Sequence, residues 1–169
     1  QHYIDTNITG TQRVVEIIEK VGLPIIYASS SCVMHGQKLP WSEDDSPTHQ
    51  NNAYGWSKRV NECQFINSTI EKTIGLRFFT VYGPWGRPDM AYFLFTKNIL
   101  ASKPIDIYNH GNMKRDFTYI DDIVEGVIKV ANKIPKPDPS WSSDEPNPAS
   151  SSAPYRLYNI GSNAPVRLM

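Results

Sequence analysis

A tyrosine stands four residues before a lysine in the stretch Asn52–Arg59, which reads NAYGWSKR. On a helix these two positions share one face, so the Lys58 ammonium can approach the Tyr54 phenol. A tyrosine with its ordinary pKa of about 10 is a poor base at neutral pH, and a nearby cation favours the phenolate. The pair could therefore remove a proton from a substrate hydroxyl.

The spacing alone is weak evidence, because nine tyrosines and ten lysines in 169 residues give about half of one such spacing by chance. The alternative is a packed Tyr54 beside a solvated Lys58. A second hydroxyl from Ser29, Ser30 or Ser31, which follow a short apolar run, could complete a proton relay with the pair.

Composition limits the possible classes of protein. With 40% apolar and 20% charged residues, the chain resembles one ordinary globular domain. Its net charge is zero, which gives no support to nucleic-acid or acidic-membrane binding. No apolar stretch approaches the roughly 20 residues of a membrane span. Two cysteines are too few for a disulfide framework, so a cytoplasmic protein without a metal site is expected.

Alternating patterns predict an α/β fold with a largely parallel sheet. Helices are predicted over 3–20, 53–72, 90–102 and 121–133. Strands are predicted over 23–31, 74–83, 105–108, 116–120 and 155–161. Residues 134–154 hold six prolines and six serines, and they are predicted to form a surface excursion without helix or central strand.

The glycine-rich turn of a dinucleotide-binding fold is missing from this sequence. None of the ten glycines falls into the G-x-G-x-x-G spacing that cradles a pyrophosphate at a helix N-terminus. The first residue is Gln rather than Met, so we expect the chain to begin inside a longer protein.

Seven stretches along the chain resemble the extended short-chain dehydrogenases/reductases that modify nucleotide sugars, and among these most of all the UDP-glucuronate 4-epimerases. They are TNITGT, YASSSCV, YGWSK, LRFFTVYGPWGRPDM, MKRDFTYIDDI, APYRLYNIG and PVRLM. The resemblance implies a partial Rossmann-like sheet with flanking helices and a small substrate-binding subdomain. The implied divisions are the Rossmann part over 1–83, a substrate-binding segment over 84–120, a returning helix over 121–133, the excursion over 134–155, and a last strand with a truncated substrate segment over 156–169.

The resemblance also implies roles for the residues around the tyrosine. Tyr54 is the catalytic base, Lys58 supports it, and Ser30 hydrogen-bonds the reacting sugar hydroxyl. The implied cofactor is NAD, with contacts from Ser29, Tyr54, Lys58 and Val81.

Three further residues match positions that the family uses for its substrate. Thr80 and Arg87 match the pair near the glucuronate carboxylate, and an Arg fork can meet a carboxylate bidentately. Arg115 matches the arginine that holds the UDP diphosphate. The alternatives are a solvated surface cation at Arg87 and an ion pair between Arg115 and Asp116. Asn7 matches a structural Asn beside the Tyr/Lys pair.

The sequence departs from the family pattern in several places. Ser31 and Cys32 replace the Asp-Glu acid/base pair of the 4,6-dehydratases, which argues against water elimination. Met34 stands where the family usually has a tyrosine close to the sugar, and His35 follows it as a loop residue expected to be solvated. The family's NAD loop is expected before residue 1, and its closing helices after residue 169.

Three functions remain open. The first is a segment of an NAD-dependent epimerase that acts at C4 of UDP-glucuronate or UDP-galacturonate and supplies cell-surface polysaccharide precursors. Without the N-terminal half, the isolated chain is expected to be inactive. The second is a non-catalytic module that binds nucleotide sugars or assembles with other chains but lacks NAD. The third and weaker one is a UDP-glucuronate decarboxylase.

A homo-oligomer is expected from the same resemblance. With the family's first strands absent, the strand containing IIYASS becomes an exposed sheet edge, and such edges tend to pair with another chain. The predicted helices over 3–20 and 53–72 correspond to those of the family's dimer interface.

Overall fold

The computed structural model describes residues 1–168. The expected beginning of another helix at Met169, and the last letter of the PVRLM match, lie outside the described residues. The chain divides into two compact units. The first unit contains residues 1–78 and 127–160, and the second contains residues 79–126 and the segment from 161 onward. The divisions implied by the family resemblance stay a prediction.

A three-stranded parallel sheet forms the centre of the first unit. Its strands are β1 (Ile25–Ser30), β2 (Thr73–Phe78) and β6 (Tyr155–Ile160), in the order β1-β2-β6. The predicted α/β class with a parallel sheet is confirmed. β1 lies at one edge of this sheet, as expected, and its residue Ile26 is exposed.

Helices of the first unit precede and follow β1. A π-helix (Ile4–Gly10) continues into α1 (Thr11–Val21), and α2 spans Ala53–Ile66. A short 3-10 helix, Ser31–Met34, follows β1 directly. Two local signals fix these bounds: Gly22 ends α1 in a left-handed conformation, and Asn52 caps α2 by accepting the Gly55 N–H at 2.7 Å. Both are standard terminus residues.

The core of the first unit packs aromatic rings between α2 and the sheet. Tyr27 stacks on Phe65 with ring centroids 4.0 Å apart, and its hydroxyl lies 2.9 Å from that of Tyr155. Burial raises the pKa of both tyrosines, that of Tyr155 to about 12. Gly75 lies opposite Tyr27 in the sheet, where a Cβ would come within 2.5 Å of the Tyr27 hydroxyl and of Leu157. Only glycine leaves room for this arrangement.

A buried ion pair ties α2 to the sheet. Arg77 of β2 is fully buried and donates two hydrogen bonds to Glu62 of α2, at 2.8 and 3.0 Å. The same carboxylate accepts the Ser29 hydroxyl at 2.6 Å and Arg59 at 3.0 Å. The Arg77 guanidinium also contacts the Met34 sulfur at 3.1 Å. Because both charges are nearly inaccessible to water, each depends on the other for its compensation.

The second unit contains two small sheets and α3 (Ala91–Leu100). β3 (Thr80–Tyr82) pairs in parallel with β5 (Phe117–Tyr119), and β4 (Lys114–Arg115) pairs antiparallel with β7 (Val166–Arg167). A 3-10 segment, Tyr108–Gly111, precedes β4. α4 (Ile120–Ala131) begins in this unit, with Asp121 and Asp122 in its first turn, where acidic side chains complement the helix dipole.

Four sequence expectations about elements are wrong in part. α2 ends at residue 66 rather than 72, because Asn67 and Ser68 bond back to carbonyls of the last turn. The strand predicted over 74–83 is two strands in separate sheets, and 105–108 is not a strand. The 134–154 segment has no helix or strand, as predicted. It is not wholly at the surface, however, because Ala149 is fully buried in the core of the first unit.

We expect Glu62→Gln to lower the free energy of unfolding by about 3–5 kcal/mol, since it leaves the Arg77 charge buried without a carboxylate. Urea denaturation followed by circular dichroism measures this loss. Arg59→Gln is the matched control, because Arg59 is 28% exposed and its removal leaves the Arg77–Glu62 pair intact. A Glu62→Gln loss no larger than that of Arg59→Gln would show that the buried pair does not hold the fold.

Candidate functional site

The Tyr54 and Lys58 side chains meet on the first two turns of α2. The Lys58 ammonium lies 6.0 Å from the centre of the Tyr54 ring, and it donates to the Ala28 carbonyl of β1 at 3.0 Å. Burial lowers the pKa of the Lys58 ammonium. The Tyr3 ring packs on the Tyr54 ring, and the two ring centroids are 5.8 Å apart. The helix therefore brings a half-buried cation beside a half-buried phenol.

Ser30 lies at the C-terminal end of β1, which is the end where parallel sheets place their functional groups. Its hydroxyl accepts the Cys32 N–H at 3.2 Å and caps the 3-10 helix that follows. Gly55 of α2 packs closely against this 3-10 helix. A Cβ at Gly55 would come within 2.8 Å of the Cys32 carbonyl, so the close approach requires glycine. The close approach places the first turn of α2 against the residues that follow Ser30.

Ser29 has a different environment from Ser30. Its side chain is 3% exposed and donates to Glu62 in the buried ion-pair network. The structure therefore gives this hydroxyl a structural partner, and its contact with a cofactor stays a prediction.

A relay of hydrogen bonds runs from the π-helix to the backbone of Tyr54. The Asn7 amide donates to the Ser57 hydroxyl at 2.9 Å, and that hydroxyl donates to the Tyr54 carbonyl at 2.8 Å. Asn61 bonds back to the Asn7 carbonyl at 2.5 Å. Short π-helical turns occur frequently at functional sites, and here the turn fixes the start of α2.

The second unit contains a cavity of about 550 Å³, which we call the Arg115 cavity. Charged and apolar groups share its lining: Asp89, Ala91, Leu94, Phe95, Asn98, Ile105, Asp106, Tyr108, Met113, Arg115, Phe117, Val166, Arg167 and Leu168. Arg115 donates to the Lys114 carbonyl at 2.8 Å. Asp116, its alternative partner, instead accepts the backbone N–H groups of Ser162 and Asn163.

Arg87 lies in the loop after β3 and forms a two-pronged ion pair with Asp89. The distances are 3.0 Å from its Nε and 2.6 Å from its terminal nitrogen. These hydrogen bonds lower the pKa of the Asp89 carboxyl. Both side chains are largely exposed, and an exposed pair of this kind is easily exchanged for another carboxylate. Asp89 itself lines the Arg115 cavity.

Thr80 and Val81 lie on β3, which places them in the second unit. Thr80 is opposite Phe117 in the ladder with β5, and the Val81 carbonyl accepts the Tyr92 hydroxyl at 3.2 Å. Neither residue lines the Arg115 cavity. Their roles toward substrate and cofactor stay predictions.

Sequence reasoning missed the apolar part of the Arg115 cavity and the conformation of Trp85. The sequence of α3 is strongly apolar, but none of its residues is fully buried. Four of them line the Arg115 cavity instead, namely Ala91, Leu94, Phe95 and Asn98. Trp85 is fully exposed and has φ = 64°, a conformation unusual for a bulky residue and often found at functional loops. No sequence pattern around Trp85 indicates this positive φ angle.

Two classes of site are not found in the described part of the chain. Within residues 1–168, no group of three or more His, Cys, Asp or Glu side chains is arranged to hold a metal ion. No helix among these residues is long and apolar enough to cross a bilayer.

A parallel sheet with a Tyr/Lys pair at the start of the next helix is the arrangement of a short-chain dehydrogenase/reductase. Residues 1–143 match the model of the NAD dependent epimerase/dehydratase family. The chain belongs to that family.

Its relatives include several nucleotide-sugar enzymes. Protein CapI of Staphylococcus aureus is 49% identical over an alignment of 172 positions, which covers 99% of this chain and 52% of that protein. UDP-glucuronate 4-epimerase 1 of Arabidopsis thaliana is 42% identical over an alignment of 175 positions, which covers 98% of this chain and 40% of that protein. The chain spans about half the length of the curated relatives it matches.

The fold resembles that of two proteins solved in complex with UDP-glucuronic acid and NAD. UDP-glucuronic acid 4-epimerase from Bacillus cereus, in complex with UDP-glucuronic acid and NAD, superposes with a TM-score of 0.79 at 31% identity, over 99% of this chain and 49% of that one. MoeE5 in complex with UDP-glucuronic acid and NAD gives a TM-score of 0.78 at 30% identity, over 98% of this chain and 51% of that one. The partial Rossmann-like architecture predicted from the sequence is thereby confirmed.

We expect the folded-state pKa of Lys58 to lie below the value of 10.5 for an ordinary lysine, because burial disfavours the charged form. Between the two pKa values the unfolded chain binds the proton more tightly, so this group makes stability rise with pH in that window. NMR titration of the ¹³C-dimethylated lysines measures the pKa, and Lys58→Gln identifies the resonance. A midpoint at or above 10.5 would contradict the burial of this ammonium.

Proposed function

We propose that this chain is the catalytic-pair and substrate-binding portion of a nucleotide-sugar 4-epimerase that acts on UDP-glucuronate. The observation that carries the proposal is the Tyr54–Lys58 pair, with the Lys58 ammonium 6.0 Å from the phenol ring and Ser30 at the end of β1. The relatives at 42% and 31% identity include UDP-glucuronate 4-epimerases, which favours this substrate over other sugars.

Tyr54 acts as the proton acceptor in this proposal. The Lys58 charge stabilises the phenolate form, and a phenolate at Tyr54 removes the proton from the C4 hydroxyl of the sugar. The Ser30 hydroxyl hydrogen-bonds the same sugar oxygen and orients it. When the hydroxyl re-forms with inverted configuration, the Tyr54 phenol returns the proton. Asn7 and Ser57 act through the backbone of Tyr54 and keep the start of α2 in place.

The residues present fit the reactive end of an NAD molecule. Lys58 presents a half-buried ammonium at the C-terminal end of β1, where a donor to ribose hydroxyls is needed, and we propose contacts from Ser29, Tyr54, Lys58 and Val81. NAD, when bound, supplies hydride acceptance and return at C4. The pyrophosphate cradle is not among the ten glycines of this chain, so binding of the complete cofactor needs donors beyond these residues.

The second unit is proposed to bind the UDP portion and the sugar carboxylate. Its Arg115 cavity of about 550 Å³ falls within the range of small-molecule sites and combines an arginine with aromatic walls. Arg115 is proposed to hold the diphosphate. Thr80 and Arg87 are proposed to contact the carboxylate, which replaces Asp89 on the Arg87 fork. The exchange conserves a bidentate ion pair and so costs little.

The test combines cofactor content and turnover, measured in this chain alone and in an N-terminally extended form that carries the family's NAD loop. Denaturation followed by an enzymatic assay of the supernatant measures bound NAD, and chromatography of UDP-glucuronate after incubation measures conversion to UDP-galacturonate. We expect near-stoichiometric NAD and measurable epimerisation in the extended form and neither in the chain alone, with Tyr54→Phe in the extended form lowering kcat by at least about 10²-fold because the general base is lost. Full activity in Tyr54→Phe would overturn the assignment of the base.

A binding measurement distinguishes the epimerase from a non-catalytic module. Calorimetry with UDP-glucuronate should show about tenfold weaker binding for Arg115→Gln, and no change for Lys103→Gln, an exposed lysine of the same unit outside the cavity. Binding that depends on Arg115, with neither NAD nor turnover even in the extended form, would identify a nucleotide-sugar-binding module. Loss of CO₂ from the substrate would identify a decarboxylase. No binding at all would reject both units' proposed roles.

A cytoplasmic location and a role in polysaccharide biosynthesis stay proposals of the same family resemblance.

We further propose that the chain forms a homo-oligomer. Apolar side chains of α1 and α2 remain solvent-exposed, with Ile17 at 60% and Trp56 at 47%, and the outer edge of β1 is unpaired within residues 1–168. Burying such surfaces favours association. Size-exclusion chromatography with light scattering should show at least a dimer at micromolar concentration. A stable monomer would contradict the proposal.

A further inference from the structure

Two cavities adjoin the two-stranded ribbon of β4 and β7. Lys114 is paired with Arg167 across the ribbon, and Arg115 is paired with Val166. Because successive side chains of a strand point to opposite faces, Lys114 and Arg115 face opposite ways. Arg115 lines the Arg115 cavity, and Lys114 lines a second cavity of about 310 Å³, together with His110, Gly111, Asn112, Met113 and Arg167. We call it the Lys114 cavity.

The Lys114 cavity brings positive charges together without a carboxylate. Lys114 and Arg167 are directly opposite each other in the antiparallel ladder, and like charges in that arrangement destabilise a sheet. Within the described residues, no Asp or Glu side chain lines this cavity. The chain as a whole has zero net charge, so this local excess of positive charge is a feature of the site.

A strained turn carries a third polar group to the same cavity. Asn109 and His110 both have φ = 50°, and Gly111 has φ = 73°. Left-handed backbone is unfavourable for residues other than glycine, and such strain concentrates at ligand-binding sites. The turn is held by hydrogen bonds in both directions between Asn109 and Asn112, each 2.9 Å long. Its geometry places His110, whose imidazole offers an N–H donor, in the lining.

We propose that the Lys114 cavity is a second anion site that binds a phosphoryl group. Lys114 and Arg167 supply the charge, Arg167 supplies a planar fork suited to phosphate oxygens, and His110 supplies a further donor. The volume of about 310 Å³ accepts inorganic phosphate or the phosphate end of a larger monoester. The site adjoins the Arg115 cavity, and Met113 and Arg167 line both, but Lys114 and His110 line only the Lys114 cavity.

Occupancy of this site stabilises the ribbon that carries Arg115. The bound anion converts the repulsion between Lys114 and Arg167 into attraction to a common partner. Because Arg115 is the next residue of β4, the pairing that the anion strengthens also fixes the strand from which Arg115 projects.

An NMR titration of the ¹⁵N-labelled chain tests the proposal. Inorganic phosphate, glucose 1-phosphate and sodium chloride at matched ionic strength are the three titrants. We expect at least one phosphorylated titrant to shift the amide resonances of Gly111, Asn112 and Lys114 saturably, with no comparable effect of chloride. The tighter of the two phosphorylated titrants identifies the source of the phosphoryl group.

Three variants assign the response to the cavity. Lys114→Gln should weaken phosphoryl binding by about tenfold or more. Lys103→Gln, an exposed lysine of the same unit outside the cavity, should bind as the unaltered chain does. Arg115→Gln should also retain the response, because Arg115 faces the other cavity. Loss of the response in Arg115→Gln, or its survival in Lys114→Gln, would place the anion elsewhere and overturn the proposal.

A thermal measurement gives an independent readout. In phosphate-free buffer of low ionic strength, Lys114→Gln should unfold at the same temperature as the unaltered chain or higher, because it removes the repulsion with Arg167. Added phosphate should raise the unfolding temperature of the unaltered chain and of Lys103→Gln by more than that of Lys114→Gln, in which only the Arg115 cavity can bind it. No response to either phosphorylated titrant in both measurements would reject the site.

Discussion

The contact between Arg77 and Glu62 is the interaction on which the first unit depends. It joins the middle strand of the sheet to the helix that carries Tyr54 and Lys58, and the same carboxylate receives the hydroxyl of Ser29 from the neighbouring strand. Hydrophobic packing between α2 and the sheet is non-directional. The two-pronged ion pair is directional. It therefore fixes the rotation of α2 about its axis and its position along that axis relative to the sheet.

That constraint reaches the candidate site through the length of α2. Glu62 lies one turn after Lys58, and Lys58 lies one turn after Tyr54, so a helix fixed at Glu62 delivers both side chains to the end of β1. The Asn7–Ser57 hydrogen bond and the close approach of Gly55 to Cys32 fix the other end of the helix. The Tyr54–Lys58 geometry therefore follows from restraints at both ends of α2 rather than from direct contacts of the pair alone.

The sequence predicted the parts of the fold that depend on local pattern. The run from Ile25 to Ser30, the strand from Tyr155 and the amphipathic pattern of α4 are each visible as periodicity, and the family motifs predicted the Tyr/Lys helix. The strand break after Phe78 was not predictable, because apolar residues continue through Tyr82 and only the tertiary structure separates the two ladders. The buried Ala149 was hidden for a similar reason, since proline and serine composition indicates a loop but not what the loop covers.

The site was predictable to different degrees for physical reasons. Tyr54 and Lys58 are separated by one helical turn, so helix geometry predicts that they share a face, while their placement against β1 depends on the tertiary restraints on α2. The pairing of Arg87 with Asp89 depends on a loop conformation for which no periodicity exists. The opposite orientations of Lys114 and Arg115 follow from the alternation of side chains along any strand. The alignment of Lys114 with Arg167, in contrast, depends on the register of two strands that are about fifty residues apart in the sequence.

Trp85 has a consequence for how this protein can be observed. Its indole is fully exposed on a left-handed turn of the loop that also carries Arg87, so its fluorescence is emitted from water and is open to quenching by iodide. Any ligand or protein surface that covers the loop will shift that emission to shorter wavelength and protect it from the quencher. With the chain's other three tryptophans replaced by phenylalanine, the loop carries its own optical reporter, which requires no label.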